Sequence, residues 1–343
     1  MVKKKKVAVA LSGGIDSSFS AYFLKQKGYY VEAFTFKIPF MPSDYIQRAQ
    51  EVCKKIGIKH HIIDVEEKFS SLVVHYFIDS YLRGLTPNPC VYCNRLIKFG
   101  LLLDEAEKRG FKLFSTGHYV SIIRENKNLY LAKSKADKHS QEYFLALIPK
   151  KILKMCLFPL GCYTKSEIER RAKSFYAFKV TSSQDICFIQ KNNYRDFILA
   201  HTKKDNFHYG YIRYLDGTIL KQHTGIHNFT YGQREKLGIS WHSPLYVVDI
   251  NSKNGDVIVA EKELAFRKEF FIGNMNWFYP PKNYYNISVK LRYSSSPLDC
   301  NIKIISHSKI KCILSSKKDI PSPGQLAVLY DKRKVIAGGI IEK

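Results

Sequence analysis

Acidic residues are scarce in this chain. It has 30 Asp+Glu against 55 Lys+Arg, a formal net charge of +25 over 343 residues. An excess of that size fits a polyanionic partner, nucleic acid above all, with a lysine-rich background as the plainer reading. Long apolar runs are missing too. None approaches the roughly 20 residues that cross a bilayer, so no membrane span is expected. The basic start, MVKKKK, leads into a strand pattern and not into the apolar stretch of a signal peptide, which makes the cytoplasm the expected compartment. There is a C-x-x-C at Cys90 and Cys93 but no second one, and no histidine pair at metal-ligand spacing, so structural zinc is not expected. Eight cysteines in a chain this long read as free thiols and not as a disulfide scaffold. No internal repeat or low-complexity linker marks a domain boundary.

What is present begins with Ala10-Leu11-Ser12-Gly13-Gly14-Ile15-Asp16-Ser17-Ser18. The apolar run Val7–Leu11 before it reads as a buried parallel strand, and the apolar-periodic stretch after it as a Ser-capped helix closed by Gly28. Glycines let a backbone approach phosphate, free N–H groups point at it, and the helix dipole favours negative charge. Asp16 is a candidate ligand for a magnesium ion bridging phosphate oxygens. The absence of GxxxxGK[ST] excludes the P-loop of kinases and GTPases.

The first half alternates strand and helix. Strands are expected at 7–11, 31–36, 61–65 and 113–116, and helices at 17–27, 44–56, 67–83 and 95–109. Gly28, Gly57, Gly84 and Gly110 stand where helices should end. This is an α/β pattern with a parallel sheet, whose ligands bind beyond the strands' carboxyl ends. After about residue 200, short alternating segments appear between turn signals. A hairpin is expected from 246–250 and 257–260, and a small antiparallel barrel from about 270 onward. The expected division is 1–200 for the nucleotide-binding domain, 201–265 for a small central domain and 266–343 for the barrel.

SGGIDSS resembles the pyrophosphate-binding loop of the PP-loop ATP pyrophosphatases. Further strings, in order, resemble one branch of them, the tRNA-specific 2-thiouridylases: TPNPCVYCNRLIKFG at 86–100, STGHYV at 115–120, SQEYFLALI at 140–148, SSQDICFI at 182–189, FTYGQREKLGI at 229–239, LYVVDI at 245–250, RYSS at 292–295, and PSPGQLAVLYD with AGGIIE near the C-terminus. The resemblance covers essentially the whole chain. It implies a PP-loop domain, a central domain and a C-terminal β-barrel. It also implies ATP-dependent 2-thiolation of the wobble uridine of Lys, Glu and Gln tRNAs, with Mg2+, tRNA and a sulfur donor as partners; a monomer is the expected state, since tRNA would occupy much of the basic surface.

The same resemblance implies site residues. Ser12 to Ser18, with Ala10 and Leu11, would bind the pyrophosphate side of ATP. Phe36 and Gly117 would line the rest of the nucleotide site. Cys187 would carry a persulfide, and Cys93 would attack it or form a disulfide with it. Asn88, Pro89 and Cys90 would lie against the target base, and His118, Gln141, Arg292, Tyr293 and Gln325 would touch tRNA. From the residues alone, Asn94 is a candidate cap for a helix starting near Arg95, which would set Cys93 beside a helix N-terminus and stabilise its thiolate.

Two departures stand out. Cys90 occupies a position where many members have aspartate. Cys90, Cys93 and Cys187 together therefore offer the ligand count of a 4Fe-4S cluster with one open iron; in the other reading Cys90 stands in for the carboxylate. His139-Ser140 replaces the first pair of a tRNA-contacting K-D-Q-S. The alternatives weighed are a PP-loop tRNA thiolase acting on another base, a PP-loop ligase acting on a small carboxylate or carbonyl, and a nucleic-acid-binding module with a decayed ATP loop.

Overall fold

The structure is a computed structural model that describes residues 4–41, 44–135, 139–176, 186–189, 193–316 and 319–343. Residues 182–185 of the SSQDICFI string, and Lys317-Lys318, lie outside them. The chain forms two compact units. The first comprises residues 1–72, 90–188 and 333–336, the second 73–89, 189–332 and 337–343.

The first unit is built on a parallel sheet of β1 (Lys6–Ala10), β2 (Tyr30–Lys37), β3 (Lys59–Asp64), β4 (Leu113–Ser115) and a short β7 (Cys156–Leu157), in the order β3-β2-β1-β4-β7. β1 has β2 and β4 on its flanks, which is why it is apolar and buried from Val7 onward. Helices α1 (Ile15–Gln26) and α2 (Asp44–Ile56) cover it, with Val7, Val9, Leu24, Ala33, Val52 and Ile56 in one core. Gly28, Gly57, Gly84 and Gly110 all have positive φ, from 68° to 85°, and end the helices as expected.

Three details differ from the sequence reading. α1 starts at Ile15, and its N-cap is Gly14 with no side-chain cap. Its serines instead bond inward: the Ser18 and Ser20 hydroxyls donate to the Gly14 and Asp16 carbonyls. The second difference is a hairpin of β5 (Val120–Glu125) and β6 (Asn128–Lys133), not foreseen in the first half; its turn puts Asn126 and Lys127 at positive φ. The third is that the helix expected at 95–109 begins at Pro89 and runs to Lys108, wound as a π-helix over Cys93–Leu102. Proline suits a first helical position because it has no N–H to leave unpaired.

The second unit holds a four-stranded sheet of β8 (Gly210–Tyr214), β9 (Ile219–His223), β10 (Leu245–Ile250) and β11 (Val257–Glu261), in the order β10-β11-β8-β9. The expected hairpin is its β10–β11 pair. The expected barrel follows from β12 (Glu269–Trp277), β13 (Tyr284–Lys290), β14 (Leu298–Ser306), β15 (Lys309–Leu314), β16 (Leu326–Asp331) and β17 (Lys334–Ile341). Strand order is β12-β15-β14-β13-β16-β17, and β12 pairs with β17 to close it. Closure leaves no unpaired edge inside the barrel.

Candidate active site

The Ser12–Ser18 segment joins the carboxyl end of β1 to α1. Gly13 has φ +75°, and a Cβ there would lie 2.6 Å from the Tyr45 carbonyl oxygen, so only glycine fits. The loop is closed on itself: the Ser12 N–H donates to Ser17 Oγ at 3.1 Å, and Ser17 Oγ donates to the Gly14 carbonyl at 3.0 Å. Tyr176 ties down the Gly13 carbonyl at 3.0 Å. Because no side chain caps α1, its first N–H groups stay open to an anion.

Gly117 closes the loop from the β4 side. A Cβ at Gly117 would sit 2.6 Å from the Ser17 nitrogen and 2.8 Å from both the Asp16 carbonyl carbon and the Ser17 Cα. The glycine is there for close backbone approach to the start of α1, a reason the string TGH does not reveal.

The Asp16 carboxylate is engaged by two neighbours in this arrangement. Lys165 Nζ lies 2.7 Å from both its carboxylate oxygens, and the Tyr119 hydroxyl donates to one of them at 2.7 Å. Burial first, and then proximity to that carboxylate, push the Tyr119 phenol up. Lys165 was missed in the sequence. Its only signal was Thr164 starting a helix with Glu167 three residues on, a capping box that fixes the first turn of Lys165–Ala172. That turn delivers the ammonium to the phosphate loop.

Phe36 ends β2, and the Tyr45 hydroxyl donates to its carbonyl at 3.2 Å while accepting from the Ile38 N–H at 3.2 Å. Burial raises the Tyr45 phenol, and Cys187 lies near enough to raise it further. Cys187 is thus brought to the nucleotide end of the sheet.

All eight cysteines are free of disulfides. Cys187 is exposed to solvent even though protein crowds its thiol. That crowding pushes its pKa up, and Cys93 and Cys90, the next causes, push it the same way. Cys93 is 8% exposed, and burial pushes its thiol up as well. The expectation of a thiolate stabilised at a helix N-terminus is therefore overturned. The helix begins at Pro89, four residues before Cys93, which therefore sits a turn inside it, and Asn94 is no cap: its side-chain amide donates to the Phe144 carbonyl at 3.2 Å.

The nearby cation is Lys98, on the same π-wound helix. It opposes the rise in both Cys93 and Cys187 and adds to the lowering of the His118 pKa, which burial drives. His118 is therefore neutral, with Nδ1 2.7 Å from the Thr116 hydroxyl.

Among the described residues, no three His, Cys, Asp or Glu side chains are grouped to hold a metal ion. Cys90, Cys93 and Cys187 are nonetheless neighbours, the first two acting on the thiol of the third, and the Asp16 carboxylate is held by the Lys165 ammonium.

The remaining expected contacts divide between the units. His118 and Gln141 belong to the first. Gln141 is pinned to the Tyr119 backbone, its amide oxygen accepting from the Tyr119 N–H at 3.0 Å. Ser140 and Glu142 beside it are buried and bonded to each other, so the altered Ser140 is part of the interior. Asn88 and Pro89 belong to the second unit, with Arg292, Tyr293 and Gln325. Arg292 Nη2 donates to Ser322 Oγ at 3.0 Å and to the Ile320 and Tyr231 carbonyls at 3.3 and 3.4 Å. The Gln325 N–H donates to the Ser322 carbonyl at 3.0 Å, and the Lys290 ammonium lies over the Tyr293 ring at 5.1 Å.

A glycine-turned anion loop at the end of a parallel sheet, with thiols at the same end, defines a nucleotide-dependent enzyme of the PP-loop kind. Family models match in series: a tRNA methyl transferase HUP domain over 5–191, a tRNA methyl transferase PRC-barrel domain over 195–261, and an aminomethyltransferase β-barrel domain over 267–341. The chain is 39% identical over 363 residues to the tRNA-specific 2-thiouridylase MnmA 1 of Caldanaerobacter subterraneus, covering 100% of this chain and 99% of that protein. It is 35% identical to the MnmA of Clostridioides difficile, again over 100% and 99%. The chain belongs to the tRNA-specific 2-thiouridylase family. Among solved structures it resembles the U34-tRNA thiolase NcsA of Methanococcus maripaludis with its [4Fe-4S] cluster, at 19% identity and a TM-score of 0.38, over 60% of this chain and 67% of that one.

Proposed function

We propose that this chain 2-thiolates the wobble uridine of Lys, Glu and Gln tRNAs, using ATP to activate the base oxygen and cysteine sulfur to replace it. The reading is supported by family membership over the full length. The observation that carries it is the convergence of an anion loop, an ammonium and crowded thiols at one end of the first unit's sheet.

The chemistry follows from those residues. A uridine carbonyl oxygen leaves poorly. Attack of O2 on the α-phosphate of ATP releases pyrophosphate and gives an adenylated base. The open N–H groups of α1 and the Lys165 ammonium meet the charge that builds on the phosphates. Cys187, as a persulfide loaded by a donor, attacks C2 with its terminal sulfur, and AMP leaves with the oxygen. The Cys93 thiolate then attacks Cys187 Sγ. The S–S bond to the base-bound sulfur breaks, thiouridine is released, and a Cys93–Cys187 disulfide remains for a dithiol reductant to open. Magnesium, when bound to ATP, screens phosphate charge; no step here is assigned to it. The module boundaries at about 200 and 265 are part of the same reading.

The test is nucleoside mass spectrometry of unmodified Glu or Lys tRNA incubated without oxygen with ATP, Mg2+ and the protein loaded with persulfide by a cysteine desulfurase and cysteine, beside a Cys93→Ala control loaded in the same way. The expected result is an oxygen-to-sulfur mass shift confined to the wobble uridine and lost in the control. A shift on another nucleoside, or none with verified folded protein, overturns the reading.

A further inference from the structure

The second unit carries a cationic surface that none of the roles above uses. Its centre is the turn Tyr231–Gly238, which presents Arg234, Glu235 and Lys236 to solvent. Two hollows flank it. One, of about 870 Å³, lies between this turn and the helix Tyr194–Ala200 and is lined by Arg195, Asn228, Thr230 and Gln233 among others. The other, of about 490 Å³, has Trp241, His242 and Pro244 in its wall. Arg234 and Lys236 line both.

The turn is rigidly built. Arg292 donates to the Tyr231 carbonyl at one end, and Lys221 Nζ donates to the Gly238 carbonyl at 3.1 Å at the other. Between them, Gln233 closes the loop: its side-chain oxygen accepts from the Thr230 N–H at 3.1 Å, and its side-chain nitrogen donates to the Glu235 carbonyl at 3.0 Å. Lys236 is held at φ +60°, a left-handed conformation that a long side chain rarely adopts. Such strain persists where the surroundings enforce it, and it is common at binding sites. A fixed turn holds its cations out without an ordering cost on binding.

The charge census gives the partner its sign. Arg195, Arg234 and Lys236 outnumber Asp196 and Glu235 in the lining; Asp196 is engaged by the Asn193 side chain and Arg195 by the Asn228 carbonyl, which leaves Arg234 and Lys236 as the cations at the turn itself. The polar lining of Asn228, Thr230 and Gln233 suits ribose hydroxyls and phosphate oxygens better than an apolar partner.

We infer that the Arg234–Lys236 turn and its two hollows bind the sugar-phosphate backbone of the tRNA, outside the reacting nucleotide. The inference rests on tRNA being the substrate. The surface lies wholly within the second unit, so it holds RNA while the thiols and the anion loop of the first unit do the chemistry.

The test is a salt titration of tRNA binding by the full chain, comparing the unaltered protein with Arg234→Gln/Lys236→Asn. Asparagine tolerates the left-handed backbone, so the turn survives. A Lys54→Gln/Lys55→Gln variant, exposed on α2, controls for charge alone. Loss of two phosphate contacts lowers the slope of log K against log[salt] by about 1.4 to 1.8, which is roughly a 25- to 60-fold weaker affinity at 0.1 M salt. ATP-to-AMP turnover at saturating tRNA should be unchanged. An unaltered slope, or an equal loss in the control, overturns the inference. So does an unaltered slope with loss of sulfur delivery from a donor protein, which would assign the surface to that protein. If the unaltered chain binds no tRNA, the substrate reading fails and this inference with it.

Discussion

Replacing Gly117 with alanine adds one methyl group, and the structure says where it goes. The new Cβ would lie 2.6 to 2.8 Å from three backbone atoms of Asp16 and Ser17 at the start of α1. Backbone atoms do not swing aside as a flexible side chain does, so the helix start or the Gly117 strand end must shift. Overpacking of this kind costs about 1–3 kcal/mol. For a unit of this size that is roughly 2 to 12 °C in Tm. Gly110→Ala makes the comparison sharp. Its φ is +80°, and a Cβ there meets nothing within 4 Å, so it loses only the left-handed conformation, about 1–2 kcal/mol. The two variants should melt similarly, yet only Gly117→Ala should lose ATP binding, because only it displaces the N–H groups that cradle phosphate. Calorimetric melting with nucleotide titration measures both. Normal nucleotide affinity in Gly117→Ala would refute the close-approach reading of this glycine.

Lys165→Met should abolish AMP formation while leaving tRNA affinity near normal; retained AMP formation would remove the ammonium from the phosphate chemistry. His227 is 1% exposed, and burial lowers its pKa to about 4. As pH falls through about 6.5 the unfolded chain takes the proton first, so stability present above that value is lost progressively down to about 4, up to about 3 kcal/mol for this group. Among the described residues neither ring nitrogen of His227 has a hydrogen-bond partner, so His227→Phe should leave stability at pH 7 nearly intact and flatten this loss in urea titrations. Iodoacetamide should reach Cys187 before Cys93, at a rate that still climbs above pH 9, and Lys98→Gln should slow it further; equal labelling of both thiols would contradict their difference in burial. Arg292→Ala should destabilise the second unit, since the guanidinium that ties Tyr231, Ile320 and Ser322 together is lost and only the longer Ser322 hydroxyl contacts remain; an unchanged melting profile would free Arg292 from its bracing role.

Much of this was legible in the chain. Strand positions followed from apolar runs and alternation, and helix ends from glycines that need positive φ. The anion loop was legible because its glycines and serines are local. What escaped was long-range. Lys165 is 149 residues from Asp16, and no local pattern says that its ammonium reaches that carboxylate. The Cys93 environment was misread because a proline at the first helical position moved the helix start upstream. Gly117 was noted, but the atoms it makes room for belong to a segment a hundred residues away.

The unequal exposure of Cys93 and Cys187 gives the proposed sulfur transfer a direction. Cargo from outside would be handed over at the doorstep, to the thiol that solvent reaches, while the inner thiol stays buried. Oxidants and electrophiles meet the same gatekeeper. Under that proposal, damage would fall first on the residue that is capped by sulfur and cleared by a reductant in each turnover, and the sheltered partner would be kept for the step that ends it.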